Sequence, residues 1–544
     1  MPISAHSARA DAPSRETTTQ WLFVAGWVVG AALLRLLLSS FVPLLPDETY
    51  YWEWSRRLEG GYFDHPPGIA LLIAAGTSLF GNGVTGVRGG PALAALLTHI
   101  AAVLCAWQLA GRGGAGAHAA RRAAIVMTVL PIATLGLVLA TPDAALFATA
   151  MIALLAVERA LASPVRSLAS FGWWIAAGVA LGGAFVSKYT AVLLPMGLVI
   201  ACVVHPALRR RFADAGPWVA SAIALAMFGP VVLWNYFNDW LSFRFQLGHG
   251  FNAAARGNPI SRELEMIGGQ LGLATPILFT VMAIVVWHAL RDGWQARQTA
   301  APTDPVVRRF ALAVIAVVPL AFFATSAWRR PVEANWPAMI YPGAIMLLAT
   351  STAPIATGVW WKRGLWLAGL LLAIVGGQAW TPLLPLAPRK DPIARAHGWQ
   401  QLAAAVDVAR RDPFLDGTVD RWVAADRYQD ASQLAFHLPD HPMVFSLNLG
   451  GRTNQYDVWQ NAWGRVRPGD GLVVAFDADA KGDSLAKVVS GWFADTKQGA
   501  LVALRRGEGE VAHRRIWLYR IARDVPRESP RYGAGLLPRT EPGK

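Results

Sequence analysis

Charge is scarce in this chain: only 15% of its 544 residues are Asp, Glu, Lys or Arg, while 54% are hydrophobic. Soluble domains carry roughly 25% charged residues, so a water-soluble globular protein is excluded. Cysteine is nearly absent. Cys105 and Cys202 both fall inside apolar runs, which rules out a disulfide framework and leaves them as packing residues. No Walker-type phosphate loop or dinucleotide fingerprint occurs, since the Gly-rich GRGGAGA at 111–117 lacks both a preceding strand and a following Lys-Ser/Thr. No internal repeat is visible. The net charge of +14 does not point to nucleic acid, because the cations are spread over short segments between apolar blocks rather than gathered on one face.

What the chain has in abundance is apolar blocks of a length that crosses roughly 30 Å of hydrocarbon as helix. They lie near 20–42, 87–110, 123–141, 143–161, 171–187, 190–206, 217–234, 269–290, 309–326, 336–352 and 364–386, about eleven in all. The first follows a polar leader, expected to be disordered over 1–19, and has no small-residue cleavage site, so it reads as a retained anchor. Alternate connections hold the cations Arg9 and Arg15, Arg112 to Arg122, Arg159 and Arg166, Arg209 to Arg211, Arg291 to Arg309, and Lys362 with Arg363. The positive-inside bias puts these in the cytoplasm. An odd number of crossings then places the loops 43–86 and 235–268, and everything after about 388, outside it.

Basic residues in short outside loops oppose that bias and need a reason. Lys188 lies in SKYT, Arg329 and Arg330 in SAWRRPVEANWP, and Arg244, Arg256 and Arg262 in the amphipathic stretch 235–268. Interfacial snorkelling accounts for any one of them. Together, Lys188, Arg329 and Arg330 suit a phosphate held at the outer membrane surface. The stretch 235–268 reads either as a flap lying on the bilayer or as a solvated loop. Arg35, inside the first block, is a functional candidate because an arginine at that depth is costly.

The segment PDETYYWEWSRRLEGGYFDHPPG at 46–68 gathers acids beside a greasy helix. Pro46 marks a helix boundary, and Asp47 and Glu48 follow it, pointing in different directions on a helix. Tyr50, Tyr51, Trp52 and Trp54 read as an interfacial belt at the rim. Asp64 and His65 precede Pro66 and Pro67, which stiffen the backbone and preorganise the acid. Acids plus cations at the outer leaflet fit one kind of chemistry. A carboxylate takes the proton of an acceptor hydroxyl while cations hold a departing phosphate, so a sugar moves from a lipid phosphate without any nucleotide.

These residues carry a family resemblance. PDETYYWEWSRRLEGGYFDHPPG, SKYTAVLLP at 187–195, WNYFNDWLSFRFQ at 234–246, RRPVEANWPA at 329–338 and DRYQDASQLAFHLP through GRTNQYDVW at 426–459 resemble the bacterial relatives of protein O-mannosyltransferases and of the lipid A aminoarabinose transferase. Those are glycosyltransferase family 39-like proteins of the GT-C membrane fold. The resemblance implies a polyprenyl-phosphate-linked sugar donor, inversion at the anomeric carbon, and Asp47 as base with Glu48 beside it. It also implies Asp64 and His65 as a second acidic motif and Lys188 as a phosphate contact; beside these, Arg329, Arg330 and Arg244 are candidate phosphate contacts, and Tyr50, Tyr51, Glu333, Asn335 and Trp336 candidate substrate contacts. Asp64-His65-Pro66 departs from the Glu-Lys-Pro of the aminoarabinose transferases, so a different sugar or acceptor is expected. No cofactor is required; one Asp-His pair leaves a divalent cation open without defining a metal site.

From about 388 the composition turns polar. Alternation in RWVAAD and GLVVAFDAD predicts strands, GWQQLAAAVDVARR and DASQLAFHL predict helices, and a small α/β domain over 388–525 follows, with a disordered tail at 526–544. GRTNQYDVW reads as a sugar-contacting loop, giving Asn454, Gln455, Tyr456 and Asp457 as substrate contacts, or equally as an ordinary turn. The expected protein is therefore a polytopic α-helical enzyme of a bacterial inner membrane with an extracytoplasmic α/β domain. Its partners would be a polyprenyl-linked sugar, membrane lipids and an envelope acceptor (lipid A, glycan or protein), with no nucleic acid. A transporter or flippase of lipid-linked sugars is the alternative, and a lipid-anchored scaffold a third reading that leaves the acidic loop unexplained. Transporters place ionisable residues near the midplane in repeated halves, whereas here they crowd one surface.

Overall fold

The computed structural model describes residues 15–111, 113–251, 258–460 and 463–528. Arg9, Arg112, Arg256, most of the leader and the tail from 529 lie outside them. In chain order the helices are α1 Arg15–Phe41, α2 Pro46–Ser55, α3 Gly68–Phe80, α4 Val84–Leu109, α5 Gly114–Val129, α6 Pro131–Thr134, α7 Pro142–Ala162 and α8 Leu168–Ser187. There follow α9 Leu193–Val204, α10 Pro206–Arg209, α11 Ala215–Phe237, α12 Leu241–Phe251, α13 Pro259–Ala274, α14 Pro276–Gln295, α15 Pro305–Ala327, α16 Ile340–Thr350, α17 Pro354–Thr357 and α18 Val359–Trp380. Many begin on proline, which has no amide hydrogen to leave unsatisfied at a helix start.

Each apolar block of the sequence is helical over most of its length. Among the described residues, eight helices are long and apolar enough to span a membrane, or nine if the chain from Tyr189 to Ala213, bent by 109°, is one span. The blocks at 123–141 and 336–352 fall short for a local reason. Pro131 ends α5, and the second holds only a 3-10 turn and α16. Residues 15–19, assigned to the leader, belong to α1.

Proline also explains several of the buried arginines. A helical carbonyl is normally satisfied by the N–H four residues on, and proline there leaves it orphaned in a region without water. Pro131 orphans the carbonyl of Met127, and Arg35 Nη2 donates to it at 2.7 Å and to Ala133 at 3.0 Å. Pro43 and Pro46 orphan Ser39 and Val42, and Arg88 Nη1 donates to both, at 2.6 and 2.7 Å. Arg262 Nε serves Ala327, orphaned by Pro331, at 3.1 Å, and Arg506 serves Gln378, orphaned by Pro382. Arg35 and Arg262 are thus structural, not functional: both are buried and close helix ends.

Beyond α18 an apolar linker leads to the α/β region: α19 Trp399–Ala409, β1 Arg421–Ala425, α20 Tyr428–His437, β2 Val444–Ser446, α21 Gln455–Val458, β3 Gly471–Asp477, α22 Ala480–Ser490, β4 Phe493–Arg506 and β5 Gly509–Ala522. The sheet order is β2-β1-β3-β5-β4, with β1 parallel to β2 and β3, and β5 antiparallel to β3 and β4. The strands and helices anticipated in RWVAAD, GLVVAFDAD, GWQQLAAAVDVARR and DASQLAFHL are present. α2 is not an interfacial belt. Tyr50, Tyr51, Trp52 and Trp54 are buried in one core with Trp399, Leu402, Val423 and Leu434, so the α/β region is seated on α2. Polar ties hold the seat: Thr49 Oγ1 to Ser432 Oγ at 2.9 Å, and Gln433 Nε2 to the carbonyl of Leu44 at 2.8 Å. A third, Glu59, accepts from Trp234 at 2.7 Å and from Trp459 at 2.6 Å, tying α11 to the α/β region.

Candidate active site

The two adjacent acids at the start of α2 have opposite environments. Glu48 is 1% exposed. Its carboxylate accepts from Arg88 Nε at 2.7 Å, from the amide of Ala140 at 2.8 Å and from the amide of Leu45 at 2.9 Å. With all its acceptor positions engaged, Glu48 locks the α1–α2 corner onto α4 and offers nothing to a substrate, contrary to the role expected for it. Asp47 is open to solvent and accepts no hydrogen bond among the described residues. It nevertheless lies in a recess: surrounding protein raises its pKa above the ordinary carboxylate value, against the pull of Arg395 and Arg452, with Asp64 pushing the same way as burial.

Asp64 is buried beside it and fully engaged. Its oxygens accept from Arg452 Nη1 at 2.7 Å and from the hydroxyl of Tyr50 at 2.9 Å, and its backbone carbonyl accepts from Gln246 of α12 at 2.7 Å. Arg452 in turn lies over the rings of Tyr428 and Phe245. His65 is held neutral, its pKa pushed down to about 3 by burial and by the positive fields of Lys188 and Arg452. Its Nδ1 is buried, and no hydrogen bond reaches it among the described residues. The ring packs 6.2 Å from that of Tyr51.

Lys188 is buried, not free: its Nζ donates to Asp143 at 2.8 Å, and the other Asp143 oxygen accepts from Asn335 Nδ2 at 2.7 Å. Asp143 was missed in the sequence, although an acid at the head of a membrane helix is itself a signal. Tyr51 links the two groups. Burial raises its pKa first, and the fields of Asp47, Asp64 and Asp143 act on the same hydroxyl. Arg244 and Arg329 are exposed, and no ion pair or side-chain hydrogen bond engages either among the described residues; Arg330 donates to the carbonyl of Gly248 at 3.1 Å. Arg244 adjoins the acidic cluster through Phe245, which packs 4.6 Å from Phe63. Glu333 is exposed, and Trp336 packs near Phe323, away from the acids.

The GRTNQYDVW segment is buttress, not sugar loop, apart from Arg452. Asn454 caps α21, the amide of Gln455 donates to Tyr50 at 2.7 Å, its Oε1 accepts from the amide of Phe63 at 2.7 Å, Tyr456 is buried, and Asp457 accepts from Asn448 at 2.6 Å. These groups and Tyr50 are consumed in docking the α/β region. Among the described residues no three His, Cys, Asp or Glu side chains converge as a metal site.

Comparisons with known proteins follow this geometry. Residues 64–234 match the family model described as dolichyl-phosphate-mannose-protein mannosyltransferase, a span that takes in Asp64, His65, Asp143 and Lys188 but starts after Asp47. A relative is 28% identical over 365 residues, 66% of this chain and 70% of its own: the lipid A galacturonosyltransferase RgtD of Rhizobium johnstonii. Among solved structures, ArnT from Cupriavidus metallidurans in its apo state superposes with a TM-score of 0.56 at 17% identity, covering 91% of this chain and 98% of its own. The same protein bound to undecaprenyl phosphate gives 0.57 at 17% identity, covering 90% and 98%. The chain has the GT-C fold. The resemblance read from the motifs therefore holds at the level of architecture, and the GT-C scaffold sets the open carboxylate of Asp47 at one end of the helical bundle, under an α/β cap.

Proposed function

We propose that this chain is a membrane glycosyltransferase that moves a sugar from a polyprenyl-phosphate donor to a hydroxyl of an envelope acceptor, at the extracytoplasmic face and with inversion. The observation that carries the reading is Asp47, a solvent-open carboxylate of raised pKa beside the locked acids Glu48 and Asp64. In the step proposed, the acceptor oxygen attacks the anomeric carbon, Asp47 takes the hydroxyl proton, and the bond from carbon to phosphate oxygen breaks. The departing polyprenyl phosphate keeps the electron pair, with Arg244, exposed and without an ion pair among the described residues, supplying positive charge. His65, neutral and with no hydrogen bond to its Nδ1 among the described residues, suits a hydrogen bond to sugar or phosphate.

Two likenesses support the donor class and a third the acceptor. The family model is named for dolichyl-phosphate-mannose, the ArnT neighbour was solved with undecaprenyl phosphate, and the 28% identical relative is a lipid A glycosyltransferase. Lipid A is accordingly the first acceptor to test. The inner-membrane orientation rests on the exposed cations Arg209, Arg210, Arg291, Lys362 and Arg363, since the buried Arg122, Arg211 and Arg308 are explained by packing.

Mass spectrometry of envelope glycans from cells carrying the native chain or Asp47→Asn tests the reading. A sugar addition present with the first and lost with the second, with undecaprenyl phosphate still bound by the purified variant, is the expected result. An unchanged glycan profile with Asp47→Asn would favour the flippase and sink the enzyme.

A further inference from the structure

A cavity of about 250 Å³ opens where the linker after α18 passes the start of α2, walled by Pro46, Pro388, Arg395, Trp399, Arg427 and Arg514 among others. Pro46 adjoins Asp47, and Arg427 precedes Tyr428, whose ring lies 4.5 Å from that of Tyr50. The cavity is therefore continuous in sequence and packing with the acidic cluster, yet none of its cations was singled out as a site residue.

Those cations differ in availability. Arg514 is consumed by Asp430 and Asp477, both at 2.6 Å, and Arg427 by Asp477 at 3.0 Å and Asp430 at 3.5 Å. Arg395 is exposed, and no carboxylate pairs with it among the described residues. An unpaired guanidinium beside a recess is suited to a phosphate, which it meets with two parallel N–H donors. The linker supplies the second half of the case. Between α18 and the cavity it leaves Leu383, Leu384 and Leu386 at 59%, 44% and 45% exposed, following Trp380 at 72%. An exposed aromatic followed by exposed leucines at the end of a membrane helix marks the bilayer interface. One short segment thus runs from lipid-facing to cation-bearing.

We propose that the linker and this cavity form the acceptor subsite: Arg395 holds a phosphate of a phosphorylated glycolipid whose acyl chains lie along Leu383–Leu386, presenting its sugar hydroxyl to Asp47. The assignment rests on the glycosyltransferase reading and names its acceptor class. The exposed leucines set this subsite at the bilayer interface, where a lipid acceptor is presented. A consequence follows for the base. Arg395 is the cation that most strongly favours ionised Asp47, so a bound phosphate that neutralises it makes Asp47 a stronger base once the acceptor is in place.

The test uses the full chain in nanodiscs with lipid A carrying both phosphates, dephosphorylated lipid A, undecaprenyl phosphate, and inorganic phosphate as competitor. The native chain should bind phosphorylated lipid A roughly tenfold or more tighter than the dephosphorylated form. Arg395→Ala should bring the two to the same weak affinity while leaving undecaprenyl phosphate unaffected, and Arg395→Lys should recover part of the difference. Equal binding of the two lipid A forms by the native chain, an equal loss of all three lipids in Arg395→Ala, or displacement of lipid A by millimolar inorganic phosphate alone each overturns the proposal. Failure of the glycosyltransferase reading looks different: the binding preferences persist, but Asp47→Asn leaves the envelope sugar unchanged.

Discussion

Glu48→Gln separates the two neighbouring acids by an argument worked from their contacts. The substitution keeps the side chain's size and removes one charge from a pair whose members are 1% and 2% exposed. Arg88 would keep its carbonyl acceptors at Ser39, Val42 and Pro43 but lose its counter-charge, and the amides of Ala140 and Leu45 would face an amide oxygen at best. Breaking one side of a buried pair costs about 3–5 kcal/mol, because the remaining ion is left uncompensated. Asp47→Asn, in solvent and without hydrogen bonds, should fall within about 0.5 kcal/mol of the native chain. Thermal unfolding in one detergent, followed by intrinsic fluorescence of the 24 tryptophans, ranks the variants. The expected order is a large fall for Glu48→Gln, almost none for Asp47→Asn, and a partial recovery when Arg88→Met is added, since the two residues share one interaction. Equal melting of the two single variants would refute the division of labour between positions 47 and 48.

Arg452→Ala removes the ion pair to Asp64 and both cation–π contacts; turnover should drop well beyond any loss of stability, whereas unchanged turnover would mean that the Asp64–Arg452 pair does not position the site around Asp47. Gly68→Ala places a methyl 2.8 Å from the Cα of Ser187 and 2.9 Å from the carbonyl of Val186, so α3 and α8 must part at a cost of about 1–3 kcal/mol. Gly26→Ala, with nothing within 4 Å, should show no loss in the same melt. The rate should fall on the acid side as Asp47 gains a proton, with a midpoint above the ordinary carboxylate value of about 3.9. No second limb should arise from His65, whose pKa near 3 keeps it neutral throughout. A midpoint below the ordinary value would mean that the pull of Arg395 and Arg452 outweighs the surrounding protein at Asp47.

Much of this was legible in the chain: the apolar blocks became helices, the polar tail became an α/β layer, and Asp47 was the acid left open. The misreadings share one cause. Composition and motif give residue types at a membrane boundary, but only packing decides which side of a helix meets protein. Tyr50 to Trp54 suit an interfacial belt and a domain seat equally, and Asn454 to Asp457 suit a sugar loop and a capped turn equally. Asp143 lay inside an apolar block and was passed over with it, though it is what holds Lys188 and Asn335. The arginines had a readable signal that was not used: a proline four residues after a helical carbonyl, at 43, 46, 131, 331 and 382, announces an orphan acceptor.

That signal changes what the positive charge of the chain means. Arg35, Arg88, Arg262 and Arg506 are committed to proline-orphaned carbonyls, and Lys188 to Asp143, so a count of basic residues overstates the capacity for anions. At the Asp47 end, the exposed cations without an ion pair among the described residues include Arg244 and Arg395. They reach the acids from different elements, Arg244 through α12 and Phe245 on the Asp64 side, Arg395 through the linker on the Pro46 side. Inverting displacement requires the nucleophile and the departing phosphate on opposite faces of the anomeric carbon. If the proposed donor and acceptor both carry phosphate, two separate cationic approaches would keep them apart at the site, whereas a single pooled cluster would draw both into the same place.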